Sequence, residues 1–345
     1  MLFKYKPIKH SIEEFQLCIE HTVLFVWCRP KGQFSQTKLH PKLQPLVKEV
    51  KKNKNDYFYQ PIKTIYDIFN KEISGADIKK IEKGFKANNA IKQLCEGKRM
   101  PLLYSDLEAI NENLAKEIKS FFNNLYTKVF KLQSFIDRFG DIHAHYESFV
   151  IKNDNGVCPF CGLTDLKSEN LNYIDAYDHF LAKGKYPFSS VNFKNLFPMC
   201  HECNSYNKHE KDVIHKKDTT TRQKSFYPYS SFVDDLNIDI TLKTKVYSKL
   251  KISDIDLNIS SVSYPEETQT WVEIFGLETR YKDICAKNNH GKLWLDRILI
   301  EYINYGKTPK EMYDIELRVC NNNMLKEANF LKASLLVAGE KVGLY

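Results

Sequence analysis

Apolar positions along the chain follow helical spacing over long stretches and two-residue alternation over one short stretch. Ile62, Ile65, Ile68 and Phe69 form one set, and Leu114, Ile118, Phe121, Phe122, Leu125, Val129 and Phe130 form a longer stripe. Recurrence at three and four predicts core-facing helices across residues 60–150, with one or two helices under the second stripe. Ile238, Ile240 and Leu242, then Leu250, Ile252, Ile255, Leu257 and Ile259, alternate instead and predict short strands within 225–262. Helical spacing returns through Trp271, Ile274, Phe275 and Leu277, through Trp294, Ile298 and Tyr302, and over 311–337. Near the start, residues 10–21 read as a short helix and the unbroken apolar run Thr22–Trp27 as a buried strand. A basic run covers 48–54. Between these regions, residues 150–215 lose periodicity and concentrate Asn, Asp, Gly, Cys, His and Lys. The expected class is therefore α+β, with mainly helical flanks around a central module. Residues 1–150 form a mostly helical region for core packing or for docking a partner or substrate. Residues 151–224 form the central module, and 225–345 a β segment followed by helices. No internal repeat or linker separates them.

The chain has 345 residues, enough for two domains or one elaborated domain with a sizeable core. Hydrophobic residues at 43% and charged residues at 27% are ordinary for a soluble globular protein. No apolar run approaches the roughly 18–20 residues that span a bilayer, and Val23–Cys28 is too short for the core of a signal peptide. The expectation is a soluble, unprocessed, cytoplasmic protein without membrane contact. The formal charge of +8 permits an anionic partner. Only seven of the 51 basic residues are Arg. Lys acts as a point charge while Arg reads base edges bidentately, so the composition suits contact with a phosphate backbone better than sequence readout.

Four of the nine cysteines form two Cys-x-x-Cys pairs, Cys158 with Cys161 and Cys200 with Cys203. An odd total without a secretion signal argues against a disulfide framework. Two such turns can converge four thiolates on one tetrahedral Zn, and a closed four-sulfur site leaves no position for water. The expected role is structural, tying two distant segments together. Cys18, Cys28, Cys95, Cys285 and Cys320 have no such pattern and read as bystanders, and His201 inside the second pair reads as exposed.

Between and beside the cysteines lie Tyr177-Asp-His-Phe-Leu-Ala-Lys183, then Lys194-Asn-Leu-Phe-Pro-Met-Cys200, then Cys203-Asn-Ser-Tyr-Asn-Lys208. An isolated Asp-His pair is usually incidental, and an isolated Asn is a turn residue. Their order between cysteine pairs resembles the HNH endonuclease family over residues 157–209. The matching residues are Asp178 and His179, Asn195, and Asn204 directly after the fourth cysteine. Asn195 and Asn204 lie nine apart, as in members that end in Asn, whereas Asn192 has the wrong spacing. The resemblance implies a ββα-metal module buttressed by the four-cysteine zinc site. It assigns a catalytic Mg or Mn ion to Asp178 and Asn204, the role of general base to His179, and the fixing of the His ring to Asn195. Those roles suit phosphodiester hydrolysis. The reaction needs hard oxygen ligands for the ion and a base working near neutral pH. Asp175 reads as a bystander to this set.

The sequence departs from the family's pattern in two places. Ala182 stands where Pro is common, and Lys208 comes one residue later than the usual Asn-x-x-Lys. Lys183, Lys185 and Lys208 are the expected nucleic-acid contacts, within a stretch from 183 to 224 that carries nine basic and four acidic residues. A narrower likeness, through Asp178–Pro187, Phe226–Tyr229 and Phe275–Tyr281, is to HNH nucleases of bacterial anti-phage systems, the Septu and retron-associated type, which work beside an ATPase. No Walker A motif is present, so any NTP engine belongs to a partner subunit. The implied function is cleavage of DNA in host defence. Cleavage of RNA or transfer RNA, or a non-catalytic zinc-stabilised binding or assembly role, remain the alternatives, and a homo-oligomer is compatible.

Overall fold

The computed structural model describes residues 1–51, 56–217, 221–230 and 235–345. Lys52 and Lys54 of the basic run, and Asp218 of the charge tally, lie outside the described residues.

The first half is helical, as its periodicity predicts. The helices are α1 (Phe15–His21), α2 (Gln44–Lys51), α3 (Tyr59–Lys71), α4 (Gly75–Asn88), α5 (Ile91–Cys95), α6 (Tyr104–Ile110), α7 (Glu112–Thr127), α8 (Gln133–Phe139) and α9 (Ile142–Lys152). Local chemistry fixes their starts. The Asp56 carboxylate accepts from the backbone N–H groups of Phe58, Tyr59 and Gln60, opening α3. Asn111 Oδ1 accepts from Leu114 N–H at 2.8 Å and opens α7. Leu114, Ile118, Phe121, Phe122 and Leu125 are then buried on one side of α7. Gly84 lets α4 approach Leu102, whose side chain would lie 2.6 Å from a Cβ at that position.

The run Thr22–Trp27 is not a strand. It continues α1 as a wide helical turn with five of its six residues buried, and the Trp27 indole donates to the Ile62 carbonyl at 3.1 Å. A short, wholly apolar run carries no period, so burial on nearly every side fits a core helix as well as a core strand.

Four short strands make two antiparallel hairpins. They are β1 (Tyr177–His179) with β2 (Leu196–Pro198), and β3 (Asn237–Leu242) with β4 (Ile255–Ser260). In the second hairpin Ile240 faces Leu257 and Leu242 faces Ile255, as the alternation predicts, while Leu250 and Ile252 belong to the connection. The chain ends in α10 (Pro265–Phe275), α11 (Leu277–Ala286), α12 (Leu293–Leu299), α13 (Pro309–Asn322) and α14 (Asn329–Lys341). No helix among the described residues is long and apolar enough to cross a membrane.

Two apolar clusters form the interior. The first gathers the N-terminal helices except α5, whose Ile91, Leu94 and Cys95 join the second, together with Tyr177, Phe188, Val191, Phe193 and Leu196. The second gathers the C-terminal helices with Met1, Tyr5, the four paired cysteines, Phe180, Leu181 and Phe197. The β1–β2 hairpin contributes to both, so its strands run along the seam between the two cores.

Candidate functional site

The two Cys-x-x-Cys segments fold as tight turns. Gly162 N–H reaches the Cys158 carbonyl at 2.7 Å, and Asn204 N–H reaches the Cys200 carbonyl at 2.9 Å. Gly162 has φ +67°, and a Cβ there would strike the side chains of Leu2 and Phe330. The four sulfurs are buried and lie within 4.8 Å of one another. Cys161 Sγ and Cys200 Sγ are 3.8 Å apart, matching the roughly 3.8 Å edge of a tetrahedron with 2.3 Å Zn–S bonds. Burial pushes the Cys158 thiol up, a cost that a bound dication removes by stabilising thiolates. The Arg280 guanidinium donates to Cys203 Sγ at 3.3 Å and supplies countercharge. Trp271 Nε1 donates to the Phe160 carbonyl and Tyr281 Oη to the Cys161 carbonyl, both at 2.9 Å. These four cysteines can therefore hold a metal such as zinc. The five remaining cysteines are all buried, and burial pushes Cys18, Cys28 and Cys95 up to about 12. His201 is exposed.

The hairpin between the two cysteine turns is paired with Asp178 opposite Phe197 and His179 opposite Leu196. A wide helical turn, Glu202–Lys208, follows directly from the second cysteine pair. Strand alternation predicts opposite faces for Asp178 and His179. The strand ends at His179, and both residues line one cleft of about 1230 Å³ together with Asn204, Lys183 and Lys185.

Asp178 is 5% exposed. Its Oδ1 accepts from Lys208 Nζ at 3.0 Å, while its Oδ2 is buried without a hydrogen-bond partner. Burial pushes this carboxyl up, against the opposing pull of Lys208. Asn204 is half-buried, and its side chain makes no hydrogen bond among the described residues. An orphaned carboxylate oxygen and an uncommitted amide in one cleft are the donor chemistry that a hard divalent cation takes.

His179 Nε2 lies 3.0 Å from the Ser190 carbonyl. A carbonyl only accepts, so this contact assigns the proton to Nε2 and leaves the Nδ1 lone pair free. Tyr126 packs edge-on against the ring, with centroids 4.5 Å apart. Burial, and then the Lys183 ammonium, push the imidazole down to about 3.

Asn195 makes no hydrogen bond to that ring. It is fully buried. Its Oδ1 accepts from Leu181 N–H at 2.8 Å, and its Nδ2 donates to the carbonyls of Leu181 and Ser189 at 3.1 and 3.3 Å. Phe180 N–H bonds the Asn195 carbonyl, so the side chain sits one step past His179 and reaches loop backbone instead. It pins the residues on either side of the His179–Ser190 contact, and the ring itself is held by Ser190.

Lys208 is not a surface contact either. It is 1% exposed, and its ammonium donates to Asp178 Oδ1 and to the His179 carbonyl, each at 3.0 Å. The physical reason is the wide turn, in which His209 N–H bonds the Asn204 carbonyl five residues back at 2.8 Å. That winding takes up the extra residue between Asn204 and Lys208 and turns the lysine inward. Lys183 stays on the cleft, bonded to Asn123 Oδ1 at 3.3 Å and 5.2 Å over the Tyr126 ring. Lys185 lines the cleft while paired with Asp212. Asp175 accepts from Tyr146 Oη and Lys167 N–H, and Asn192 bonds Asn89 and Lys194.

No residue type pointed to Ser190, whose backbone carbonyl holds the His179 ring. None gave a sign that α7 supplies the facing wall of the cleft, with Lys116, Lys119, Ser120 and Asn123. Comparison with protein families, with curated proteins and with solved structures gives no match.

Proposed function

We propose that the chain is a metal-dependent endonuclease of the HNH type, hydrolysing phosphodiester bonds of DNA, with zinc in the four-cysteine site as its structural staple. On the subgroup likeness, the activity serves anti-phage defence. One observation carries the reading. A buried, unpartnered carboxylate oxygen on Asp178 and an imidazole with a free Nδ1 on His179 line the same cleft as the uncommitted amide of Asn204. A purely structural or binding module has no use for that combination.

Asp178 Oδ2 and the Asn204 amide oxygen would hold a divalent ion such as Mg²⁺ or Mn²⁺. Once bound, the ion supplies Lewis-acid polarisation of the phosphate and charge for the leaving oxygen. His179 Nδ1 takes the proton from the attacking water, and the Ser190 carbonyl stabilises the ring at Nε2–H as it gains charge. Asn195 keeps Leu181 and Ser189 in place, so the ring keeps its aim. The hairpin, the wide turn and the zinc site make one hairpin-and-helix clamp in this reading.

Purified protein incubated with plasmid, single-stranded DNA and transfer RNA, in Mg²⁺, Mn²⁺ or EDTA, tests it. We expect nicking or cutting of DNA that EDTA abolishes. His179→Ala should lower the rate by about 10²–10⁴, the usual contribution of a positioned base. Equal cutting by that variant refutes the base. No cutting of any substrate leaves the non-catalytic reading standing, and cutting of transfer RNA alone moves the substrate to RNA.

A further inference from the structure

We propose that helix α7 is the docking wall for the phosphate backbone of the substrate strand, with Lys116 and Lys119 as its cationic contacts. The inference rests on the nuclease reading and extends it to a part of the chain that the HNH resemblance does not reach.

Burial fixes which way α7 faces. Leu114, Ile118, Phe121, Phe122 and Leu125 enter the core, and Lys116, Lys119, Ser120 and Asn123 line the cleft that holds Asp178, His179 and Asn204. Spacings of three, four and seven put these four on one helical face. Glu112 shares that face one turn before Lys116 but does not line the cleft, and Glu117 lies elsewhere on the helix.

The two lysines are also uncommitted. Both are exposed, and neither forms an ion pair among the described residues. Lys185 and Lys208, by contrast, are bound to Asp212 and Asp178. The Lys119 ammonium lies 5.4 Å over the Tyr104 ring, which holds it at the cleft without neutralising it. Lys183 bonds Asn123 of α7, so a third cationic side chain joins the two lysines in a cleft whose lining also includes Glu210.

Lys116 to Asn123 covers about 10 Å of helix axis. A nucleic-acid strand presents about three phosphates over that length, at 3.4 Å each. The wall carries point charges and no Arg, which suits backbone contact without base readout. The partner it fits is therefore a polyanionic strand held independently of sequence.

The test measures binding rather than cleavage. In the His179→Ala background, fluorescein-labelled single-stranded DNA, single-stranded RNA and duplex DNA are titrated by anisotropy between 50 and 200 mM salt. Lys116→Gln with Lys119→Gln should reduce the slope of log K against log salt by about 1.4 on single strands or 1.8 on duplex, at 0.7 or 0.9 per lost phosphate contact. Lys79→Gln with Lys80→Gln on α4, outside the cleft, should leave the slope unchanged. Whichever of the three oligonucleotides shows the difference identifies the strand type.

An unchanged slope in the α7 pair, an equal loss in the α4 pair, or no binding by the parent overturns the proposal. Plasmid cutting by the unsubstituted protein in Mg²⁺ reports separately on the nuclease reading. An active parent with an unchanged slope therefore removes the α7 role alone.

Discussion

Asp178 and His179 are neighbours in sequence, and burial acts on both by disfavouring their charged forms. For His179 burial keeps the ring neutral, with Nε2–H on Ser190 and Nδ1 unprotonated, but lowers its basicity, so the proposed base role needs neighbouring negative charge to offset that penalty. For Asp178 it is a difficulty, met on one oxygen by Lys208 and left open on the other. A divalent ion on Oδ2 would sit beside the Lys208 ammonium, and like charges a few ångströms apart in a buried site repel strongly. Lys208 would therefore weaken binding of such an ion, while its contact with Oδ1 offsets the burial of the carboxylate. Lys208→Gln, which keeps a donor for the His179 carbonyl but removes the charge, should tighten Mn²⁺ on the order of tenfold, about 1.4 kcal/mol. Lys208→Arg should leave the affinity near the parent value. The loss of the free Mn²⁺ signal in electron paramagnetic resonance measures both. Weaker or equal binding by the Gln variant would show that the ammonium does not compete with the ion.

At the level of elements, the β1–β2 hairpin has only three residue pairs, too few to hold a loop of sixteen residues by ladder bonds alone. Asn195 supplies the missing constraint from full burial, with three hydrogen bonds to backbone groups of Leu181 and Ser189. Asn195→Ala leaves the Leu181 N–H and carbonyl without those partners, at about 1–3 kcal/mol for each buried group. The expected loss is about 2–4 kcal/mol by urea unfolding, and a loss under 0.5 kcal/mol would mean that the loop holds itself. The sequence carried this site unevenly. The cysteine cluster was legible because thiolate coordination requires one residue type at fixed spacing. The inward turn of Lys208 was hidden, because it depends on a helical winding that no residue type announces. Thr22–Trp27 failed as a strand for a related reason, since an unbroken apolar run specifies burial and not a period. Helices α3 and α7 were legible because their apolar stripes keep helical spacing over several turns.

Across the whole molecule, the four-cysteine cluster belongs to one of the two cores, and the tryptophans divide between them. Trp27 lies in the N-terminal core, whereas Trp271 and Trp294 lie in the core that contains the cysteines. Trp271 donates its indole N–H to the Phe160 carbonyl, inside the first Cys-x-x-Cys turn. Removing a metal from that cluster would leave four buried thiols with no cation and free both turns to open. The second core should then loosen while the first, built from its own helices, keeps its packing. A thiol-compatible chelator should red-shift tryptophan emission and lower the melting temperature on the order of 10 °C, corresponding to several kcal/mol in a chain of this size. The red shift should persist in Trp27→Phe and be largely lost when Trp271→Phe and Trp294→Phe are combined, with one zinc per chain released in parallel by elemental analysis. If Trp27 instead reports the change, the two cores unfold as one unit and the cysteine cluster braces the entire chain; if no zinc is released and no emission changes, the cluster holds no metal.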